Sequence, residues 1–262
     1  MEAALRTPGI AETYERLLVP AIFAPWAQEI LSRARPIGSA DRILDLGCGT
    51  GIVARLLRDR LGGGARITGV DASTDMIAMA KSITPALEWR EASALKLPFD
   101  DASFEIVVSQ QMLQFVPELA SALCEIRRVL VPGGRLVAAT WRARSEQPLY
   151  EILGQIAERH LGRASEKRFL LGDEAALFEM LASAGFTDVR IDIVTRTDHF
   201  QEFPFRLSAL AANFDLSAFS PSEREARLSA LEAESREAVE QFASNGGFAA
   251  PSRANLITAS VK

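Results

Sequence analysis

The sequence predicts an α/β fold, a mostly parallel sheet of seven strands with helices on both faces. Two observations predict it. From residue 42 to about residue 142, short apolar runs alternate with stretches of helical length. Strands and helices alternating at that spacing imply parallel pairing with both sheet faces covered. The first run, "RILDL" (42–46), turns through "GCGTG" (47–51) straight into a helical pattern, as a chain does where a strand end meets a ligand.

The elements follow in order. Residues 51–61 read as a helix, "RITGVD" (66–71) as the second strand, and 73–83 as a helix with Met76, Ile77 and Ala80 on one face. "LEWREA" (87–92) is the third strand and "FEIVVS" (104–109) a buried fourth. Pro117 stands at a helix start; apolar residues recur at Leu119, Leu123, Ile126 and Leu130 until "VPGG" closes the helix. "RLVAATW" (135–141) is the fifth strand. Helices follow at 149–161 and 172–186, the second with Asp173 as N-cap and Gly185 as its stop. "DVRIDIVTRT" (188–197) alternates like a half-exposed strand. Residues 220–243 open with "SPSE", which places Glu223 for a capping box, and "RANLITASVK" (253–262) is the last strand.

This is a Rossmann-like domain over 1–198 and 251–262, with two segments outside the sheet pattern. The N-terminal cap (1–35) holds helices at about 10–19 and 20–34 and carries Tyr14, Phe23 and Trp26. The insertion 199–250 carries Phe200, Phe203, Phe205, Phe214 and Phe219. Such sheets bind ligands beyond the C-terminal ends of their strands. The two segments are therefore expected to roof that crevice, the insertion as a helical substrate lid.

Composition removes several classes. At 48% hydrophobic, 262 residues can build a substantial core. A net charge of −5 argues against nucleic acid as a partner. Two cysteines, Cys48 and Cys124, make no disulfide framework, so a cytoplasmic setting is expected. No apolar run approaches the ~18–20 residues of a membrane span. The polar, acidic N-terminus is unlike a secretion signal.

The glycine turn discriminates between two nucleotide cofactors. A dinucleotide fingerprint, G-x-G-x-x-G/A, would place its third small residue at 52, where Ile52 stands; the third glycine, Gly51, falls one place early. That phase does not suit a pyrophosphate on the helix N-terminus. Asp45, two residues before Gly47, would repel an all-anionic ligand but suits S-adenosylmethionine (SAM), which presents an ammonium and a sulfonium. Asp71 ends the second strand, where a carboxylate can accept ribose hydroxyls in either class.

At these residues the chain resembles the class I SAM-dependent methyltransferases, in their small-molecule, UbiE/menaquinone-type branch. "ILDLGCGTG", "GVDASTDMIAMAK", "EASALKLPFDDASFEIVVS" and "RRVLVPGGRLVAATW" are similar to that family's successive motifs. "LLGDEAALFEMLASAGFTDVRI" is similar to its later helix and strand, so the likeness covers roughly 40–195. The resemblance implies SAM as cofactor and S-adenosylhomocysteine as product. It implies a binding set of Asp45, Gly47, Cys48, Gly49, Gly51, Asp71, Ala72, Met76, Ser93, Ala94, Leu95, Ser109 and Gln110, with Cys48 contributing backbone. Ser93-Ala94 stands where the family has an acid–alanine pair, so the adenine amine would meet a hydroxyl.

Methyl transfer from a sulfonium is an in-line displacement that demands alignment and exclusion of water. A base is needed only when the nucleophile arrives protonated. The residues after strand four, Ser109 to Gln114, should lie nearest the methyl group. They lack the Asn/Asp-Pro-Pro-Tyr/Phe motif of amino-methyltransferases acting on nucleic acids, the paired glutamates of arginine methyltransferases, and metal-binding acids. No metal is therefore expected. The acceptor is expected to be a neutral or amphipathic small organic molecule, methylated on O, C or N. The catalytic candidates are His199, Tyr14, Gln110 and Gln111, with Trp141 lining the crevice. A monomer or homodimer is expected. A non-catalytic SAM-binding scaffold and an NAD(P)-dependent oxidoreductase are the rival readings.

Overall fold

The computed structural model describes residues 9–34, 36–62, 64–162, 166–202 and 219–262. Eight strands form one sheet: β1 Arg42–Leu46, β2 Arg66–Asp71, β3 Glu88–Glu91, β4 Phe104–Gln110, β5 Leu130–Trp141, β6 Thr187–Phe200, the two-residue β7 Ala243–Ser244, and β8 Gly247–Ser260. Their order is β3-β2-β1-β4-β5-β8-β6, with β7 paired to β8. β1 to β5 pair in parallel; β8 runs antiparallel between β5 and β6. The chain winds outward one way through β2 and β3 and the other way through β4 and β5. The crevice of such a sheet opens where that order reverses, between β1 and β4.

Consecutive strand residues enter opposite cores. Ile43 of β1 and Ile106 of β4 pack with α2 (Ala24–Arg33) and α3 (Ile52–Leu61). Leu44 and Val107 pack with α5 (Leu119–Val129) and α7 (Glu174–Ser183). Both faces are covered, as the unbroken apolar runs predict. The caps at α4 (Thr74–Ile83) and α7 form as side-chain bonds: Ser73 accepts from Met76 N, and Asp173 from Ala176 N. Among the described residues no helix is long and apolar enough to cross a membrane.

Three features depart from the pattern read in the sequence. First, the expected break near residue 20 is absent. α1 (Ile10–Thr13) runs into a ten-residue π-helical segment, Tyr14–Phe23, which runs into α2. Pro20 lies inside that segment; it lacks an N–H, and the wider register accommodates it without a break.

Second, the last two long strands extend into the expected lid. β6 reaches Phe200 and β8 begins at Gly247, with Phe200 opposite Phe248 and their rings stacked at 5.0 Å. A Cβ on Gly247 would overlap the Phe200 carbonyl, so only glycine admits this closure. Phe203, Phe205 and Phe214 lie outside the described residues.

Third, α6 (Pro148–Leu161) packs along α8 (Pro221–Val239), a pairing that the local pattern does not indicate. Leu153, Ile156 and Leu161 share one apolar cluster with Leu228, Leu231 and Val239. His160 Nε2 meets Glu234 Oε2 at 2.6 Å, and Arg227 donates to the His160 carbonyl at 2.7 Å. His160 thus joins α6 to α8. The capping box Ser220/Glu223 starts α8 as the "SPSE" pattern predicts.

Candidate functional site

A cavity of about 510 Å³ opens at the C-terminal ends of β1, β2, β4 and β5. The N-terminal segment contributes Ile10, Tyr14, Leu18, Ile22 and Phe23 to its wall, so this segment roofs the crevice. Gln110 Nε2 donates to the Phe23 carbonyl at 2.8 Å and ties that roof to the end of β4. Trp26 packs edge-on against Trp141 at 5.6 Å and donates to Ser252 Oγ at 3.2 Å, which fixes the ring behind the wall.

The glycine turn meets this cavity in an unexpected way. Gly47 and Cys48 N–H groups both donate to the Val70 carbonyl, at 2.7 and 3.0 Å. Gly49 N donates to Asp71 Oδ2 at 2.9 Å, and Gly51 N to the Cys48 carbonyl at 2.8 Å. Four amides of the turn are thus satisfied within the protein. With these N–H groups taken, Gly47 and Gly49 in the cavity wall offer no free amide to a phosphate, and the turn suits a cation instead. The residues present therefore fit SAM, and they do not fit the pyrophosphate of a dinucleotide. Each glycine has its own reason. Gly47 (φ +72°) leaves room for Met112 and Gly51 (φ +90°) for Trp89, while Gly49 is required by its left-handed backbone (φ +54°).

The two acids divide. Asp71 lines the cavity; its Oδ2 holds Gly49 N and its Oδ1 accepts from Ser73 N at 2.9 Å. Each oxygen accepts one of these bonds and has capacity for another. Asp45 lies behind the turn, 1% exposed and outside the cavity wall. Its Oδ2 accepts from Ala54 N at 3.0 Å, in the first turn of α3, while Oδ1 is buried without a partner. Desolvation raises its pKa to about 7; the Ala54 N–H opposes the shift and Asp71 adds to it. Burial likewise raises Asp198, on β6, to about 7.

A carboxyl raised in the fold stays protonated where the unfolded chain has lost its proton, near pH 3.9. Stability is then largest at acid pH and falls as pH rises from about 4 to about 7. Asp45→Asn and Asp198→Asn should each flatten part of that fall in melting temperature for the cofactor-free protein. A wild-type slope that both variants leave unchanged would contradict this.

Of the residues singled out in the sequence, the cavity brings together Tyr14, Gly47, Gly49, Asp71, Ala72, Met76, Ser93, Ala94, Leu95, Gln110, Gln111 and Trp141. Cys48, Gly51 and Ser109 stand outside its wall: Cys48 and Ser109 are buried beneath it, and Gly51 serves the start of α3. His199 does not reach it. Its side chain is on the exposed face of β6, opposite Ala249, because the strand continues three residues past the expected end, to Phe200. Tyr14 is held as a neutral phenol: desolvation, with Asp71, Glu15 and Asp45 nearby, raises its pKa well above the usual value. It is therefore a hydrogen-bond donor and not a base.

Gln111 stands out among the amides. It is 4% exposed, lines the cavity, and holds a left-handed backbone (φ +45°). Neither its Oε1 nor its Nε2 has a partner, and Gln110 Oε1 is also free. Unpartnered buried amides cost about 1–3 kcal/mol each, so a ligand that met them would be favoured.

Tyr150 and Arg168 also line the cavity. No motif marked them. Tyr150 comes from α6, and Arg168 from the Glu166–Phe169 turn beside Leu113–Phe115. A cation between two predicted helices was the only available signal.

Comparison with known proteins agrees with this geometry. A family profile described as "Methyltransferase domain" matches residues 44–138. The ubiquinone/menaquinone biosynthesis C-methyltransferase UbiE of Desulfotalea psychrophila is 32% identical over 182 residues, covering 63% of this chain and 72% of that protein. A demethylmenaquinone methyltransferase of Staphylococcus epidermidis is 33% identical over 154 residues, 56% of this chain and 62% of that one. The fold is shared with phosphoethanolamine N-methyltransferase 2 of Haemonchus contortus, solved with S-adenosylhomocysteine: TM-score 0.58, 19% identity, 98% of this chain and 61% of that chain. The chain belongs to the class I SAM-dependent methyltransferases, in their UbiE-type branch.

Proposed function

We propose that the chain methylates a C, O or N nucleophile of a small organic molecule, with cofactor and acceptor side by side in the 510 Å³ cavity. The observation that carries this reading is the division of the cavity wall. One part of it is the glycine turn, with Met112 packed on Gly47, together with Asp71, Met76 and Ser93-Ala94-Leu95; the rest includes Gln111, Phe115, Trp141 and Tyr150. SAM, when bound, supplies a methyl group on a cationic sulfur, a leaving group that needs no protonation.

The chain's own residues do the rest. Asp71 would hold the ribose hydroxyls, Met76 and Ala94 would flank the adenine, and Gly47 and Gly49 would face the amino-acid portion. The Tyr14 phenol donates from the roof. Gln110, fixed by its bond to Phe23, and Gln111, with both amide ends free, would orient a polar group on the acceptor. Aromatic side chains exclude water around them. Among the described residues the acceptor end has no histidine or carboxylate in its wall. An acceptor hydroxyl or enol therefore arrives ionised or gives its proton to solvent, and a neutral amine attacks through its lone pair with any proton lost to solvent afterwards.

The reading also accords with relatives named for quinone-pathway methylation, since a quinol or enol is such an acceptor. Release of S-adenosylhomocysteine, screened over quinols, phenols, enols and amines, tests it. Turnover with at least one class is expected, and Gln111→Leu should reduce kcat by about 10-fold or more with SAM affinity preserved. Binding of SAM without turnover on any class would favour a non-catalytic role instead.

A further inference from the structure

Arg168 sits in the Glu166–Phe169 turn and lines the cavity at its acceptor end. Asp71 ends β2, while the turn carrying Arg168 lies beyond β4 and β5, beside Leu113–Phe115. With strands ~4.8 Å apart, β2 and β5 are separated by about 14 Å. The cavity thus has an acid at one end and a guanidinium at the other. Arg168 Cζ stands 5.1 Å from the centroid of the Tyr150 ring, also in the wall, so the ring face holds the guanidinium plane.

That stacking engages the face of the guanidinium and not its N–H edge. Among the described residues no carbonyl or carboxylate accepts from Arg168. Other arginines nearby are matched to acids: Arg142 to Glu146 at 2.9 Å, and Arg144 to Glu151 at 3.1 Å and Glu158 at 2.7 Å. Asp198 is buried and stands outside the cavity wall. A half-buried guanidinium without an acceptor is unfavourable, and a neutral occupant would desolvate it further. A carboxylate matches its fork geometry and leaves the ring stacking intact.

Gln111 supplies the second anchor, a buried donor and acceptor with no partner. Between the anchors the wall is apolar: Ile22, Met112, Phe115, Val116 and Trp141. We propose that the methyl acceptor is an organic acid: an apolar body whose carboxylate pairs with Arg168 and whose carbonyl or hydroxyl meets the Gln111 amide. This rests on the methyltransferase reading of the cavity. It narrows the expected neutral or amphipathic acceptor to an amphipathic anion.

The test measures binding to protein saturated with S-adenosylhomocysteine. The probes are benzoate, 2-naphthoate and biphenyl-4-carboxylate, each against its carboxamide, which has the same shape without the charge. At least one acid should bind about 10-fold tighter than its amide. The preference should weaken with rising salt and vanish in Arg168→Gln, while Arg168→Lys keeps part of it. S-adenosylhomocysteine affinity should stay within about two-fold in both variants, which shows an intact fold. Equal binding of acids and amides, no binding of any acid, or a preference that survives Arg168→Gln would overturn the proposal. If S-adenosylhomocysteine fails to bind the wild type, the methyltransferase reading of the cavity falls with it.

Discussion

Asp71→Ala is expected to weaken S-adenosylhomocysteine binding by at least about 100-fold. The carboxylate has two tasks at once. It fixes the Gly49 and Ser73 amides at 2.9 Å each, which sets the glycine turn and the entry to α4. Its remaining accepting capacity is what is proposed for the ribose hydroxyls. Hydrogen bonds to a charged group are worth about 1.5–3 kcal/mol each, so losing two corresponds to at least about 3 kcal/mol, and 2.7 kcal/mol is already 100-fold. Asp71→Asn keeps one accepting oxygen and should lose less, about 10-fold. Calorimetric titration reads both variants, with circular dichroism to confirm folding. Unchanged affinity in Asp71→Ala would remove the cofactor from this end of the cavity.

Gly51→Ala should cost about 3 kcal/mol of stability and lower the melting temperature by roughly 6–12 °C. Two effects add. The position has φ +90°, which an L side chain tolerates poorly, and a Cβ there would overlap the Trp89 ring. Trp89 cannot swing aside: it is 6% exposed, its Nε1 donates to the Thr84 carbonyl at 2.9 Å, and Gly69 touches its other edge. Gly51→Ala combined with Trp89→Leu should relieve the overlap but keep the backbone strain. The double variant should therefore lose less than the sum of the two single losses. Additive losses would show that the ring does not need the glycine.

The parts of the fold legible in the sequence are those set by local pattern. The strands around "RILDL" and "FEIVVS", the caps at Ser220 and Asp173, and Asp71 at a strand end all follow from periodicity and residue chemistry. The glycine turn was legible as a close approach, but the destination of its amides was not. Val70 and Asp71 take them, and both belong to the neighbouring strand. Asp45 was read as a ligand-facing acid because its position in the motif says nothing of depth; the structure buries it behind Gly47. His199 was read as the first residue of a roof, because alternation fades at 197 while pairing with β8 continues. Arg168 has no local signature, since its place in the wall comes from contacts of its turn with the distant Leu113–Phe115 and β5.

The most direct measurement is a crystal structure of the protein with S-adenosylhomocysteine. The account predicts the ribose on Asp71, the adenine between Met76 and Ala94, and the homocysteine over Gly47 and Gly49, with its sulfur toward Gln111 and Trp141. Density for the ligand outside this cavity, or inside it with the ribose away from Asp71, would contradict it.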